Sequence, residues 1–274
     1  MTLRLERQGA VAHLLIDRAD KRNAFNQEMW DLFPQLLAQA MADPAVNVLV
    51  VRAAKPDSAF CAGADIGEFA TGARDREWRA ANQAAINRVQ HELARAAKPT
   101  IAFIEGDCVG GGCGIALACD FRVAGPKARF GITPAKLGLV YPLHDTKLLV
   151  DLVGPAQAKR ILFTGTLLTA AEALAIGMVT LLDTDPAAAL DRITSELVAV
   201  SGHSQRMSKV MVQRILDGQV ADDDTTRAEF AAALAGDAFA EGVGAFLEKR
   251  PPVFRCAPLL QPRRATARSW AACP

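Results

Sequence analysis

The 274-residue chain has almost no charge imbalance: 31 Lys and Arg stand against 30 Asp and Glu, a formal net charge of +1. It therefore lacks the cationic surplus that drives association with nucleic acid or anionic lipid, and neither partner is expected. It also lacks any uncharged apolar run approaching the roughly 18 residues of a membrane span, because its Ala-rich stretches are interrupted by Arg, Asp, Glu or Gln. The opening residues alternate charged and apolar side chains, which suits a strand and offers no signal-peptide core. The six cysteines include no C-x-x-C pair. They read as small buried hydrophobes in a reduced, cytoplasmic compartment. His13, His91 and His203 have no neighbouring ligand types, so no metal site is expected.

What is present is a large apolar content, 51% of residues, enough for one large core or a single division. Residues 11–16, 46–51 and 100–104 are β-branched-rich runs that predict strands buried on both faces. Between them, Met29, Leu32, Phe33, Leu36, Leu37 and Ala40 recur at helical spacing, as do Ile86, Val89, Leu93 and Ala97. Strands alternate with helices, which predicts an α/β core over residues 1–190. Residues 187–201, 205–216 and 225–250 read as helices without strands, so 191–250 form a helical part. From Pro251 onward, Pro251, Pro252, Pro258 and Pro262 with Arg263, Arg264 and Arg268 give 251–274 too little to bury, and this tail is expected to be disordered. No repeat of fixed period is evident.

The window 104–118, Ile-Glu-Gly-Asp-Cys-Val-Gly-Gly-Gly-Cys-Gly-Ile-Ala-Leu-Ala, runs from a strand through a glycine cluster into an Ala/Leu helix. Glycines let a ligand approach the backbone, and a helix N-terminus offers unpaired N–H groups that favour developing negative charge. The dinucleotide fingerprint G-x-G-x-x-G/A fails in both registers, with Ile115 or Leu117 in its last place, and the lysine of a phosphate-binding loop is missing. A second glycine segment, Ala59-Phe60-Cys61-Ala62-Gly63-Ala64-Asp65-Ile66, also follows a strand and opens a helix, with Asp65 placed to cap it. Two sets of backbone donors are thus available to converge.

Together with Asp17-Arg18-x-x-Lys21-Arg22-Asn23-Ala24, Ala128-Arg129-Phe130-Gly131 and the late 241–250 segment, these motifs resemble the crotonase, or enoyl-CoA hydratase/isomerase, superfamily over about residues 5–254. The resemblance implies a spiral of ββα turns with a C-terminal helical trimerisation region, and a homotrimer or dimer of trimers. It implies an acyl-CoA thioester substrate, with coenzyme A entering as part of that substrate and no permanently bound cofactor. The thioester oxygen would sit between the backbone N–H groups of Ala64 and Gly111. Lys21, Arg22 and Lys249 would meet the coenzyme A phosphates, and Ala62, Asp65 and Ile66 would line the adenine.

Hydratases of this family carry two glutamates, and their places here hold Gly114 and Pro134. Neither exchanges a proton, so two-glutamate hydration is not available. The segment 130–141 is similar to the methylmalonyl-CoA decarboxylase branch, which implies substrate-facing roles for Thr133 and for Tyr141, the single tyrosine. Loss of CO₂ needs an oxyanion hole and no initiating base, and a pocket without carboxylates favours it. The branch departs from this chain in having His where Ala64 stands. His144 is a further candidate proton donor, and Glu68 a carboxylate that either turns toward the acyl chain or stays on its helix surface. The expected activity is an acyl-CoA lyase, by decarboxylation or non-standard enoyl-CoA hydration; the alternative is an inert thioester-binding protein.

Overall fold

A computed structural model describes residues 2–254. Cys256, Cys273 and nearly all of the 251–274 tail lie outside the described residues. The chain runs β1 (Leu3–Gln8), β2 (Val11–Ile16), α1 (Gln27–Ala42), β3 (Val48–Ala53), α2 (Ile66–Gly72), α3 (Arg76–Ala94), β4 (Thr100–Ile104), β5 (Asp107–Val109) and α4 (Gly111–Ala118). It continues through β6 (Phe121–Ala124), β7 (Arg129–Gly131), α5 (Leu143–Thr164), β8 (Leu168–Thr169), α6 (Ala170–Ala175) and β9 (Leu181–Leu182). Four helices follow: α7 (Pro186–Val198), α8 (Gly202–Leu216), α9 (Asp224–Leu234) and α10 (Asp237–Leu247).

The larger sheet has the order β1-β2-β3-β4-β6-β9 and is parallel except for the β1–β2 hairpin. The smaller sheet, β5-β7-β8, is extended by single bridges between Cys61 and Cys108 and between Phe25 and Ala64. Successive turns therefore give one strand to each sheet before a helix: β4, β5, α4, then β6, β7, α5. This is the ββα spiral. Alternate residues of the larger sheet face two apolar layers. Leu49, Val51, Ala102 and Ile104 pack with Met29, Trp30 and Phe33 of α1 and with Val89 and Leu93 of α3. Val48, Val50, Ile101, Phe103 and Val123 meet Ala189 and Leu190 of α7 on the other side. The strands are thus buried on both faces, as their apolar runs predict.

Two expected boundaries move. The helix anticipated from Ile86 begins ten residues earlier, because the Asp75 side chain caps it by accepting from Glu77 N. The 225–250 stretch is two helices rather than one, since Gly236 adopts an extended conformation between α9 and α10. No single helix among the described residues is long and apolar enough to cross a membrane; the bent pair α9 and α10, 45° apart, comes nearest. Cys61, Cys108, Cys113 and Cys119 are free and buried, and burial pushes the Cys61 and Cys119 thiols up to about 12, which leaves them inert.

Helix α4 carries the glycine cluster at its N-terminus, and its other end is fixed by Arg122, only 4% exposed. Its guanidinium donates to Cys119 O and Ala116 O, the terminal carbonyls of α4, and to Met178 O. A cation at a helix C-terminus satisfies orphan acceptors and opposes the helix dipole.

Candidate active site

The loop before α2 is held from two sides. Asn23, fully buried at φ 57°, accepts from Arg18 N at 2.8 Å and donates to Ala59 O at 2.6 Å, tying the early Asp-Arg motif to the second glycine segment. The bridge to Phe25 uses Gly63 O and Asp65 N, each at 2.8 Å, and passes over the Ala64 amide between them. Cys61 N donates to Asp107 O, and Val109 N donates to Cys61 O, which sets this loop beside β5. Gly110 N is spent on Gly131 O at 2.8 Å, so the first amide of α4, Gly111 N, follows an anchored residue.

Two glycines make the close approach possible. Gly63 (φ 104°) and Gly110 (φ 56°) adopt conformations that a side chain strains. A Cβ on Gly63 would lie 3.6 Å from Gly111 N, and one on Gly111 would lie 3.8 Å from Ala64 N. The amides of Ala64 and Gly111 are neighbours across this gap. The indole of the fully buried Trp30 closes one side, 3.1 Å from the Gly111 Cβ position. Two backbone amides thus flank one small gap.

Beside it opens a cavity of about 220 Å³ lined by Ala62, Val109, Thr133 and three cations, Arg22, Arg129 and Lys136. Asp107 pairs with Arg22 and, at 2.7 and 2.9 Å, with Arg129. One carboxylate thus orients two guanidinium groups and leaves the rim cationic, a surface suited to phosphate oxygens. Of the residues expected at the phosphates, Arg22 lies here. Lys21 is exposed at the end of a short 3₁₀ turn, and Lys249 is exposed after α10 and makes no hydrogen bond or ion pair with any of these groups. Arg129 and Lys136 were not singled out by the motifs, although Arg129 stands in the Ala-Arg-Phe-Gly segment that carries the resemblance. Asp65 caps α2 through Gly67 N and Glu68 N, and Arg18 at 2.7 Å holds its carboxyl below the usual range. Ile66 is exposed. Glu68 accepts from Gln27 N at 2.8 Å and caps α1, so it serves a helix end and not the acyl chain.

On the far side of the amide pair, Gly114 follows Gly111 by one turn of α4. A Cβ there would lie 2.2 Å from Gln90 Nε2 and 3.1 Å from Tyr141 Oη. The space of the missing glutamate is therefore filled by the amide of Gln90, reaching in from α3. Pro134 begins a 3₁₀ turn directly after Thr133 and presents no acid. The Tyr141 hydroxyl is wholly buried and has no hydrogen-bond partner; burial pushes its titration up, with Asp145 contributing.

Asp145 corrects the expectation of a site without carboxylates. It lies on the first turn of α5, 1% exposed, and burial pushes its carboxyl up to about 7. His144 Nδ1 approaches Asp145 Oδ1 at 3.4 Å, and the His144 ring packs on His91 with centroids 5.5 Å apart. Burial, His91, Arg95 and Lys147 all lower the His144 pKa, so near neutrality this is a contact with neutral imidazole and not an ion pair. His144 is thereby a poor proton donor. Among the described residues no group of His, Cys, Asp and Glu is arranged to hold a metal ion.

Residues 6–256 match the family model for enoyl-CoA hydratase/isomerase. The chain is 31% identical to a crotonyl-CoA hydratase of Syntrophomonas wolfei subsp. wolfei, over 91% of its own length and 96% of the relative's. It is 32% identical to a short-chain-enoyl-CoA hydratase of Clostridium acetobutylicum, covering 90% and 94%. Among solved structures, an enoyl-CoA hydratase/carnithine racemase from Magnetospirillum magneticum superposes with a TM-score of 0.89 at 30% identity, covering 94% of this chain and 96% of that one. The ββα spiral and the family match define the class of scaffold. The chain belongs to the enoyl-CoA hydratase/isomerase family.

Proposed function

We propose that this chain is an acyl-CoA lyase that holds a thioester enolate between the N–H groups of Ala64 and Gly111. The observation that carries the proposal is the juxtaposition of those amides beside a cationic cavity, with neither family glutamate in place. The coenzyme A phosphates lie against Arg22, Arg129 and Lys136, with the exposed Lys21 and Lys249 as further phosphate partners, while Ala62, Asp65 and Ile66 border the adenine. The thioester carbonyl then enters the amide pair, and the acyl substituent extends toward Gly114, Gln90 and Tyr141. Tyr141 ends beside Gly114 at the acyl end and orients the departing group, whereas Thr133 lines the cavity assigned to the phosphates.

Decarboxylation of a malonyl- or methylmalonyl-type thioester is the reaction this arrangement supports best. The C–C bond breaks with its electron pair passing into the thioester, so the charge arrives on the oxygen facing the two donors. Burial at the acyl end works in the same direction, because a substrate carboxylate held in a water-poor pocket beside Asp145 loses its charge on leaving as CO₂. The enolate then takes a proton, and Asp145, half protonated near neutrality, is the nearby acid. Hydration is the second reading, favoured by the hydratases among the relatives. Incubation with methylmalonyl-CoA and, separately, crotonyl-CoA separates the readings. CO₂ release supports decarboxylation and loss of enoyl absorbance supports hydration; thioester binding with neither supports an inert binder and refutes the lyase.

Tyr141→Phe is expected to slow turnover at least tenfold while leaving coenzyme A affinity unchanged. Steady-state kinetics and calorimetry measure both, and unchanged turnover removes Tyr141 from the site. The assembly we infer is a homotrimer or dimer of trimers. Its support is the exposed apolar surface on the C-terminal helices, where Ile215, Phe230, Phe246 and Leu247 are each at least 67% exposed. Light scattering tests it.

A further inference from the structure

Three buried polar atoms at the acyl end have no hydrogen-bond partner: Nε2 and Oε1 of Gln90 and Oη of Tyr141. Gln90 is fully buried, and it comes from α3, outside every motif that marks the family. Its amide and the tyrosine hydroxyl meet at the place a residue-114 side chain would occupy, one helical turn, about 4.5 Å of rise, from Gly111. A buried hydrogen bond left unmade is destabilising. Buried side chains that find no partner within the chain call for one from outside it, and a bound ligand can supply it.

We propose that Gln90 is a specificity-determining residue: with Tyr141 it selects acyl groups that carry an oxygen function close to the thioester, and it disfavours plain hydrocarbon chains. This inference rests on the lyase reading of the site. The pair presents donors from the amide N–H₂ and the phenol and acceptors from the amide carbonyl and the phenol. A carboxylate takes the donors, and a hydroxyl takes a donor and gives to the amide carbonyl. A hydrocarbon chain satisfies neither and leaves the three atoms orphaned. A site built to hydrogen-bond its substrate rejects the analogue lacking that group strongly, because its own buried atoms then stay unpaired. The same geometry explains Gly114: any side chain there collides with the Gln90 amide.

The test is calorimetric binding of methylmalonyl-CoA, 3-hydroxybutyryl-CoA and butyryl-CoA to the full chain and to Gln90→Leu and Gln90→Met. These variants approximate the volume and remove the two orphaned Gln90 atoms, leaving Tyr141 Oη. The expected result is a loss of about tenfold or more in affinity for at least one oxygenated thioester, corresponding to about 1.4 kcal/mol. Butyryl-CoA should bind no more weakly, and both variants should melt at or above the parent temperature. Which oxygenated ligand loses affinity tells a carboxylate site from a hydroxyl site. Equal losses for all three thioesters, or no loss for either oxygenated one, overturns the role of Gln90. If the parent protein binds none of the three, the thioester reading fails instead, which is a separate and recognisable result.

Discussion

Gly111→Pro lowers turnover of the thioester substrate by about 10²–10³-fold, and Gly111→Ala does not. One oxyanion-hole donor contributes about 2.7–4 kcal/mol to the barrier, and proline is the substitution that deletes the donor while preserving the helix start. Gly111 is the first residue of α4, where proline's fixed φ suits the helix and its missing N–H interrupts no internal bond. Both variants place a Cβ about 3.1 Å from the Trp30 ring, so alanine reproduces the crowding and keeps the amide. The ratio of the two rates therefore isolates the hydrogen bond. Coenzyme A affinity, set by the cationic cavity, should be similar in both. Equal rates for the two variants remove Gly111 N–H from catalysis.

Asp145→Asn is expected to stabilise the protein at pH 8 relative to pH 5. Burial raises the folded-state pKa of Asp145 from the ordinary 3.8 to about 7. A carboxyl shifted in that direction contributes its full stability below pH 4, where it is protonated in both states. The contribution is lost as pH rises toward 7, because the unfolded chain ionises first. Above 7 the folded protein carries a buried charge that solvent would accommodate at less cost. Between pH 5 and pH 8 the two units from 5 to 7, at about 1.4 kcal/mol each, set an upper bound of about 3 kcal/mol on the difference. Asparagine has the same shape and no such titration. Urea denaturation at a fixed protein concentration should show the variant gaining on the parent between pH 5 and pH 8. A stability difference independent of pH would mean that Asp145 is not the buried acid described.

Much of this site is visible in the linear order of residues, and the reason is local. Gly63-Ala64-Asp65 and Gly110-Gly111 are short segments whose backbone conformations select their own residues, so a strand, glycines and a helix start signal the amides directly. The Asp65 cap is legible for the same reason. The acyl end is not. Gln90 lies 21 positions before Gly111 on a largely polar helix, and only the packing of α3 on α4 brings its amide to Gly114. Asp145 reads as a polar residue on an early helical turn until α5 docks and buries it. Arg129 and Lys136 join Arg22 because β7 and the following turn lie beside β5, which the spacing of the motifs does not reveal. Gly114 and Pro134 are legible in the linear order, whereas Asp145, which adds a carboxyl beside Tyr141, arrives from a different element.

The central claim is that the Ala64 and Gly111 amides share one thioester oxygen, and vibrational difference spectroscopy of a bound, carbonyl-labelled acyl-CoA tests it without requiring turnover. Two donors polarise a carbonyl and weaken its double bond, so the labelled stretch should fall in frequency on binding to the parent protein, and the drop should shrink in Gly111→Pro but persist in Gly111→Ala. A carbonyl frequency unchanged from that of free thioester in water, or a drop of the same size in all three proteins, would contradict the account.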